Sequence, residues 1–195
     1  MEKTMYRSDN ERVPPATTEI EVKVLEINRS DVEERLNALG AVKIFDGPIH
    51  ALYYDLPDQR LKSGGLALRL RLQGTRVVLT LKADIANADA KERQEFETEV
   101  GDFEIMRKML ETMGFSVWLE MKKLRTSYAL PFAHIEIDRY TDDFGFIPEF
   151  LEIEGRDMQS VYRAAESLGF SKQDCRPWDA VQLAAYYREP KDSLP

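Results

Sequence analysis

Glu19, Glu21 and Lys23 stand at alternate positions early in the chain, with Ile20, Val22 and Val24 interleaved. Side chains alternate faces along a β-strand, so an extended chain here puts two carboxylates and an ammonium on one face and branched hydrocarbon on the other. The arrangement recurs. Arg69 and Arg71 lie between Leu68, Leu70 and Leu72, and Thr80 and Lys82 alternate with Leu79 and Leu81. Arg93, Glu95, Glu97 and Glu99 surround Phe96, while Lys123 and Arg125 flank Leu124. Glu136 and Asp138 alternate with Ile135 and Ile137, and Glu152 and Glu154 flank Ile153. Ammonium and guanidinium groups grip phosphate oxygens, Arg in a bidentate manner. Carboxylates hold hard cations such as Mg²⁺ or Mn²⁺, which bridge to phosphate oxygens. Both sets on one side of one sheet would suit metal-assisted phosphoryl or nucleotidyl chemistry.

Lys23, Arg69, Arg71, Lys82, Arg93, Lys123 and Arg125 gathered on one face would repel one another. Two unit charges about 7 Å apart cost roughly 2 kcal/mol at an effective dielectric of about 20. Carboxylates or a polyanion must compensate them, and a triphosphate concentrates many oxygens in a short length. Alternation by itself favours a plainer reading, in which the ionic rows are solvent faces of an ordinary antiparallel sheet. Two features count against it. Glu and Arg dominate these positions rather than Thr, Ser and Gln, and cation sits beside cation on one strand, as in Arg69 with Arg71 and Lys123 with Arg125.

The elements that must position these groups can be read from the same sequence. Strands are predicted at about 18–27, 42–54, 66–73, 76–83, 92–100, 116–130, 133–140 and 149–155, with Gly74 and Thr75 as a hairpin signal. Helices are predicted at 31–39, with Asn28 and Ser30 as caps and Gly40 as the stop, and at 102–113 and 157–168, ending at Gly114 and Gly169. A last helix is expected from Pro177 to Arg188. Residues 55–65 read as a loop with one helical turn, and 84–91 as a polar loop. Residues 1–17 read as a flexible N-terminal arm, 18–188 as a single domain and 189–195 as a C-terminal tail. The expected fold class is α+β. An antiparallel sheet of this size curls or closes, which removes its edges. Helices covering its apolar side leave the ionic rows turned inward. The C-terminal helix, with Val181, Leu183, Ala184 and Tyr187, is expected to cover or plug the curled sheet.

Composition narrows the partners. The 195-residue chain has a net charge of −8 and a pI near 5.0, which argues against a broad nucleic-acid-binding surface. Its 27 Lys and Arg still leave room for a local basic pocket. Cys175 stands alone, so neither an intramolecular disulfide nor a thiolate metal site is available. No apolar run approaches the ~18 residues a membrane helix needs, and the N-terminus lacks the apolar core of a signal peptide. The expectation is a cytoplasmic protein with a small-molecule partner and no membrane. A homodimer is among the assemblies the sequence allows.

The ordered set of motifs resembles the CYTH domain, the family of triphosphate tunnel metalloenzymes that includes class IV adenylyl cyclases and thiamine triphosphatases. The resemblance rests on Glu19, Glu21 and Lys23, on the run Tyr54 to Leu61, and on Leu66 to Arg71 and Leu79 to Lys82. It continues through Arg93 to Glu95, Lys123 to Arg125, Ile137-Asp138 and Leu151 to Glu154, over about residues 18–155 in the family's order. The resemblance reverses the weighing above and implies a closed eight-stranded antiparallel β-barrel, its hydrophilic tunnel binding triphosphate and its helices packed outside. By the same resemblance Lys23, Arg69, Arg71, Lys82, Lys123 and Arg125 bind the phosphates. Glu19, Glu21, Asp138, Glu152 and Glu154 hold one or two divalent cations, Mg²⁺ or Mn²⁺. Arg93 and Glu95 sit at matching charged positions and join Glu19, Glu21 and Lys23 as candidate catalytic residues.

The implied activity is divalent-metal-dependent hydrolysis of inorganic triphosphate, thiamine triphosphate or a nucleoside triphosphate. One alternative is a class IV adenylyl cyclase converting ATP to cyclic AMP and pyrophosphate; another is a non-catalytic polyphosphate- or nucleotide-binding module. Some class IV cyclases carry a His-Phe pair ahead of the first motif, where this chain has Val13, Pro14, Pro15 and Ala16, which counts against the cyclase. His50 and His134 read as structural or solvent-facing, although His134 shares the register of Glu136 and Asp138. Trp118 and Trp178 read as core or helix-docking aromatics, and Cys175 as a surface or packing residue. Gly64-Gly65 reads as a chain reversal, because it lacks the Lys-Ser/Thr ending of a phosphate loop and precedes a strand.

Overall fold

Branched and leucine side chains at every second position favour extended chain over most of this sequence. The computed structural model describes residues 17–84 and 93–188, with side chains for 20–83 and 94–188. The arm expected at 1–17 lies outside them apart from residue 17, as do most of the loop expected at 84–91 and the tail expected at 189–195. The elements are β1 (Thr17–Val24), α1 (Arg29–Ala38), β2 (Val42–Asp55), α2 (Arg60–Ser63), β3 (Leu66–Gln73), β4 (Arg76–Asp84) and β5 (Arg93–Val100). They continue as α3 (Phe103–Thr112), β6 (Ser116–Leu130), β7 (Ala133–Tyr140), β8 (Phe150–Gly155), α4 (Met158–Ser167), β9 (Cys175–Arg176) and α5 (Ala180–Arg188). No helix among the described residues is long and apolar enough to cross a membrane.

The class is α+β as expected, and every pairing is antiparallel, in the order β5-β4-β3-β2-β6-β7-β8-β1-β9. The closed eight-stranded barrel is corrected to a nine-stranded sheet that is not closed along its length. Among the described residues β1 meets β5 only where Thr17, Thr18 and Glu19 oppose Glu95, Gln94 and Arg93. Farther along, Lys23 and Val24 pair instead with Arg176 and Cys175 of the unforeseen β9, which takes over that edge.

Two boundaries also move, for local reasons. β1 stops at Val24 rather than near residue 27, because Glu26 adopts a left-handed φ of 54° that no strand continues through. The last helix begins at Ala180 rather than Pro177, since the Asp179 carboxylate accepts from the Gln182 amide at 2.8 Å and caps it there. Elsewhere the caps work as read: Asn28 accepts from the Ser30 and Asp31 amides at the start of α1, although that helix already begins at Arg29.

The apolar faces are covered as the pattern requires. Val22, Val24, Ile135, Ile137, Leu151 and Ile153 pack beneath α1 and α4 through Val32, Leu36, Val161 and Leu168. Leu52, Tyr54, Leu70 and Val77 pack beneath α3 through Phe103 and Leu110. The ionic rows are thereby left on the opposite, concave side, where α5 docks Leu183 and Ala184 against Met121, Tyr140 and Phe150, which share strand faces with Lys123, Asp138 and Glu152.

Candidate functional site

That concave side encloses a cavity of about 600 Å³. Its wall alternates because the strands do: β1 contributes Glu21 and Lys23, β3 Arg69 and Arg71, and β4 Lys82. β5 contributes Glu95 and Glu97, β6 Lys123 and Arg125, β7 Glu136, and β8 Glu152 and Glu154. Asp179 to Gln182 border the same cavity at the start of α5. Glu19 and Arg93 face each other in the short β1–β5 pairing, but their side chains lie outside those described. Asp138 is not part of the cavity wall. It is fully buried beneath it and accepts from Lys123 Nζ at 2.5 Å, Arg125 Nε at 2.7 Å and Arg125 Nη2 at 2.6 Å.

Strand register decides who meets whom. Lys23 lies opposite Glu152, and its ammonium sits 2.8 Å from that carboxylate and 3.1 Å from Glu21. Lys82 lies opposite Glu95 and is ion-paired with it. Arg125 lies opposite Asp138, and its guanidinium also pairs with Glu136 and reaches Glu152 at 3.2 Å. The β3 arginines are different. Among the described residues Arg71 has only Glu97 as an ion-pair partner, at 3.8 Å, and Arg69 donates to the Thr80 hydroxyl at 3.4 Å. Among the described residues no carboxylate lies within ion-pair distance of Arg69, and the Nε groups of Arg69 and Arg71 are buried without a hydrogen-bond partner.

The titration behaviour divides the cavity the same way. Burial, with Arg69 and Arg125 nearby, lowers the Arg71 guanidinium to about 10, the mark of a region with surplus positive charge. At the other end burial raises the Glu154 carboxyl well above its ordinary range, helped by Glu136, Glu152 and Glu21. Burial likewise lifts Glu136 to about 7 although Arg125 opposes it. Burial works against the charges of Glu152 and Lys23 too, yet each is held firmly ionised. Lys23, Lys123 and Arg125 keep Glu152 low, and Glu152 and Glu21 keep Lys23 high. Arg69 differs from Arg71: burial opposes its charge, but Tyr53, Glu95 and Glu97 raise it above its ordinary value, so the shortage of an anion lies at Arg71 and the shortage of a cation at Glu154.

Two carboxylate sets have the spacing of a metal site. Single oxygens of Glu21, Glu152 and Glu154 lie within 4.8 Å of one another, as do those of Glu136, Asp138 and Glu152. All-carboxylate donors match hard cations such as Mg²⁺ or Mn²⁺. The residues fit such an ion, because the raised Glu154 carboxyl shows a place where positive charge is missing.

Some contributors escaped the sequence reading. Glu136 was visible in the alternation, yet its engagement with Arg125 depends on the register. Tyr53 gives no sequence signal beyond that of a core aromatic, but it lines the cavity beside Arg69, Lys82 and Lys123. Burial would raise its phenol, and those cations reverse the direction. His134 borders the cavity opposite Glu154, whereas His50 pairs with Glu120 at 2.8 Å and does not line the cavity.

Known proteins resemble this chain throughout the same region. The sequence profile of the CYTH domain matches residues 17–175. A protein of Methanocaldococcus jannaschii described as a candidate adenylate cyclase is 28% identical over 136 residues, covering 70% of this chain and 75% of that one. The PH1012 protein from Pyrococcus horikoshii is 26% identical with a TM-score of 0.70, over 85% of this chain and 98% of its own. A candidate adenylyl cyclase from Hippeastrum, described as having a dominant triphosphatase activity, shares the fold at 20% identity and a TM-score of 0.58, over 88% of this chain and 94% of its own.

Proposed function

Because the chain belongs to the CYTH domain family, we propose that it binds a triphosphate in the charged cavity and hydrolyses it with the help of Mg²⁺ or Mn²⁺. The supporting observation is the division of one cavity into an under-compensated cationic wall on β3 and an under-compensated carboxylate wall on β8 and β1. A linear polyanion with a divalent cation at one end answers both deficits.

The residues divide the work. The Nε groups of Arg69 and Arg71 are buried donors without a hydrogen-bond partner among the described residues, so these side chains bind and orient phosphate oxygens at little cost to existing ion pairs. Lys82 and Lys123, although paired with Glu95 and Asp138, add positive charge from either side of them. Lys23 and Arg125 are already committed to carboxylates, and their role is to hold Glu152 and Glu136 in place and to keep Glu152 ionised. Glu21, Glu152 and Glu154 would hold the metal, with Glu136 and Asp138 as the second set. A bound divalent cation supplies Lewis-acid charge to the phosphate oxygens. Phosphoryl transfer asks mainly for positioning and charge stabilisation, which this wall provides. Glu19, Arg93 and Glu95 are proposed to act at the β1–β5 end.

The second reading, a class IV adenylyl cyclase, is favoured by the description of the M. jannaschii relative. There the same wall would hold ATP with its ribose hydroxyl against the α-phosphorus. Incubating the purified protein with inorganic triphosphate, thiamine triphosphate and ATP, each with Mg²⁺ or Mn²⁺, separates the readings. Phosphate release supports the triphosphatase and cyclic AMP the cyclase. Tight binding without any turnover leaves a binding module, and turnover that persists in chelator refutes the metal requirement.

A further inference from the structure

The cavity rim carries a feature that gripping phosphates does not use. Across β2 and β6, Tyr53 pairs with Leu119 and Tyr54 with Val117, so Trp118 is the extra residue of a β-bulge. An extra residue interrupts the alternation of faces and re-aims a side chain. As a result Trp118 and Leu119, though adjacent, both border the cavity. The indole is 41% exposed there. Its ring centre lies 6.1 Å from that of Tyr53, whose phenol sits among Arg69, Lys82 and Lys123. An aromatic surface therefore begins where the phosphate-gripping wall ends, and Ala51, Met121 and Val181 extend it with hydrocarbon. Lys62, on α2, borders the same rim with its ammonium 4.8 Å from the centre of the indole ring.

Inorganic triphosphate has nothing to place against this surface. We infer that Trp118 is a stacking platform for the flat, neutral heteroaromatic end of a bound triphosphate, which makes a nucleoside triphosphate the substrate class. The inference rests on the reading of the cavity as a triphosphate site. Bases stack on indole faces whatever their sequence identity, because each presents a π-face. Lys62 chooses among organic triphosphates: its ammonium, over the indole ring, repels a cationic ring such as the thiazolium of thiamine, whereas a neutral base meets no charge repulsion when it takes that face in place of the ammonium.

Calorimetric titration of the full chain with ATP, thiamine triphosphate and inorganic triphosphate tests this, with Trp118→Ala and Trp118→Phe alongside the parent. ATP should bind more tightly than thiamine triphosphate. In Trp118→Ala the ratio of ATP affinity to inorganic triphosphate affinity should fall roughly 10-fold, and Trp118→Phe should restore most of it. A second measurement needs no truncation. Trp118 and Trp178 are the chain's two tryptophans, so in a Trp178→Phe background ATP should quench the remaining fluorescence far more than inorganic triphosphate does. A ratio unchanged in Trp118→Ala, or equal quenching by both ligands, overturns the platform while leaving the triphosphate site standing. A parent protein that binds none of the three ligands overturns the triphosphate site, and the platform with it.

Discussion

Arg69 and Arg125 project into one cavity, yet their removal should have different signatures. Arg125 is buried among Asp138, Glu136 and Glu152, so Arg125→Ala takes from Glu136 the one ion pair it has among the described residues and leaves Asp138 and Glu152 with only Lys123 and Lys23 there. Breaking a buried ion pair on one side costs about 3–5 kcal/mol, and Arg125→Ala should therefore lower the melting temperature sharply before any effect on binding can be read. Arg69 has no carboxylate within ion-pair distance among the described residues, although Tyr53, Glu95 and Glu97 still favour its charge. Arg69→Gln should lower thermal stability far less than Arg125→Ala does, while weakening triphosphate binding roughly 10- to 100-fold, the worth of a charge-assisted hydrogen bond of about 1.5–3 kcal/mol. Calorimetry and a melting scan on both variants check the pair; an Arg69→Gln protein destabilised as much as Arg125→Ala with binding intact would mean that its charge serves the fold and not the ligand. Glu152 belongs to both carboxylate sets. Glu152→Gln keeps the shape but removes the shared negative charge, and metal-dependent turnover should drop roughly 100-fold or more. Measuring turnover against metal concentration checks this: full recovery at high metal would reduce Glu152 to an affinity contributor.

At the scale of elements, the loop between β2 and β3 depends on one carboxylate. Buried Asp55 accepts from the amides of Leu56 at 2.7 Å and of Leu61 and Lys62 at 3.0 Å each, which fixes α2 and so the approach of Lys62 to the rim. Burial would raise the Asp55 carboxyl, but the three amides outweigh it and hold its pKa below the usual value. A group lowered on folding stabilises the native state above its unfolded pKa of about 3.9, and that contribution fades as pH falls through the lower folded value. Asp55→Asn should melt lower at neutral pH and lose less further stability on acidification below pH ~4; parallel melting curves from pH 7 to pH 3 would deny the capping role. The aspartate itself was legible only as part of a motif, because its three acceptor bonds form when the turn closes. What the alternation did reveal is the register-independent part: which residues share a face, and hence where each helix must dock. What it could not reveal depends on partners. β9 is two residues long and has no period, the Trp118 bulge breaks the very alternation being read, and Asp138 looks like its neighbours until pairing places it beneath Arg125.

At the scale of the whole molecule, the chain carries a net charge of −8 while its cavity has a wall of exposed positive demand. The sheet's two ends meet over only three residue pairs, so much of β5 has β4 as its sole described strand neighbour. The family resemblance implied closure, where the sequence itself asked only for a sheet that curls or closes to dispose of its edges. Here a second device, β9 laid along β1, shares the task. The charge of the cavity leaves the unliganded protein with repulsion still to be relieved at Arg71, which lies near Arg69 and Arg125. A ligand that binds only the folded state adds RT ln(1 + [L]/Kd), about 2.7 kcal/mol at one hundred times Kd. For a domain of this length that should raise the melting temperature by roughly 5–10 °C. Inorganic triphosphate and ATP should both produce the rise, phosphate at equal ionic strength should not, and added salt should shrink it by screening the cationic wall. Mg²⁺ together with triphosphate should raise it further, since the ion settles the carboxylate end while the polyanion settles the arginines. A melting temperature indifferent to triphosphate across metals and salt would mean that the arginines and carboxylates compensate one another unaided, and a charged cavity with no deficit has no reason to hold a polyanion.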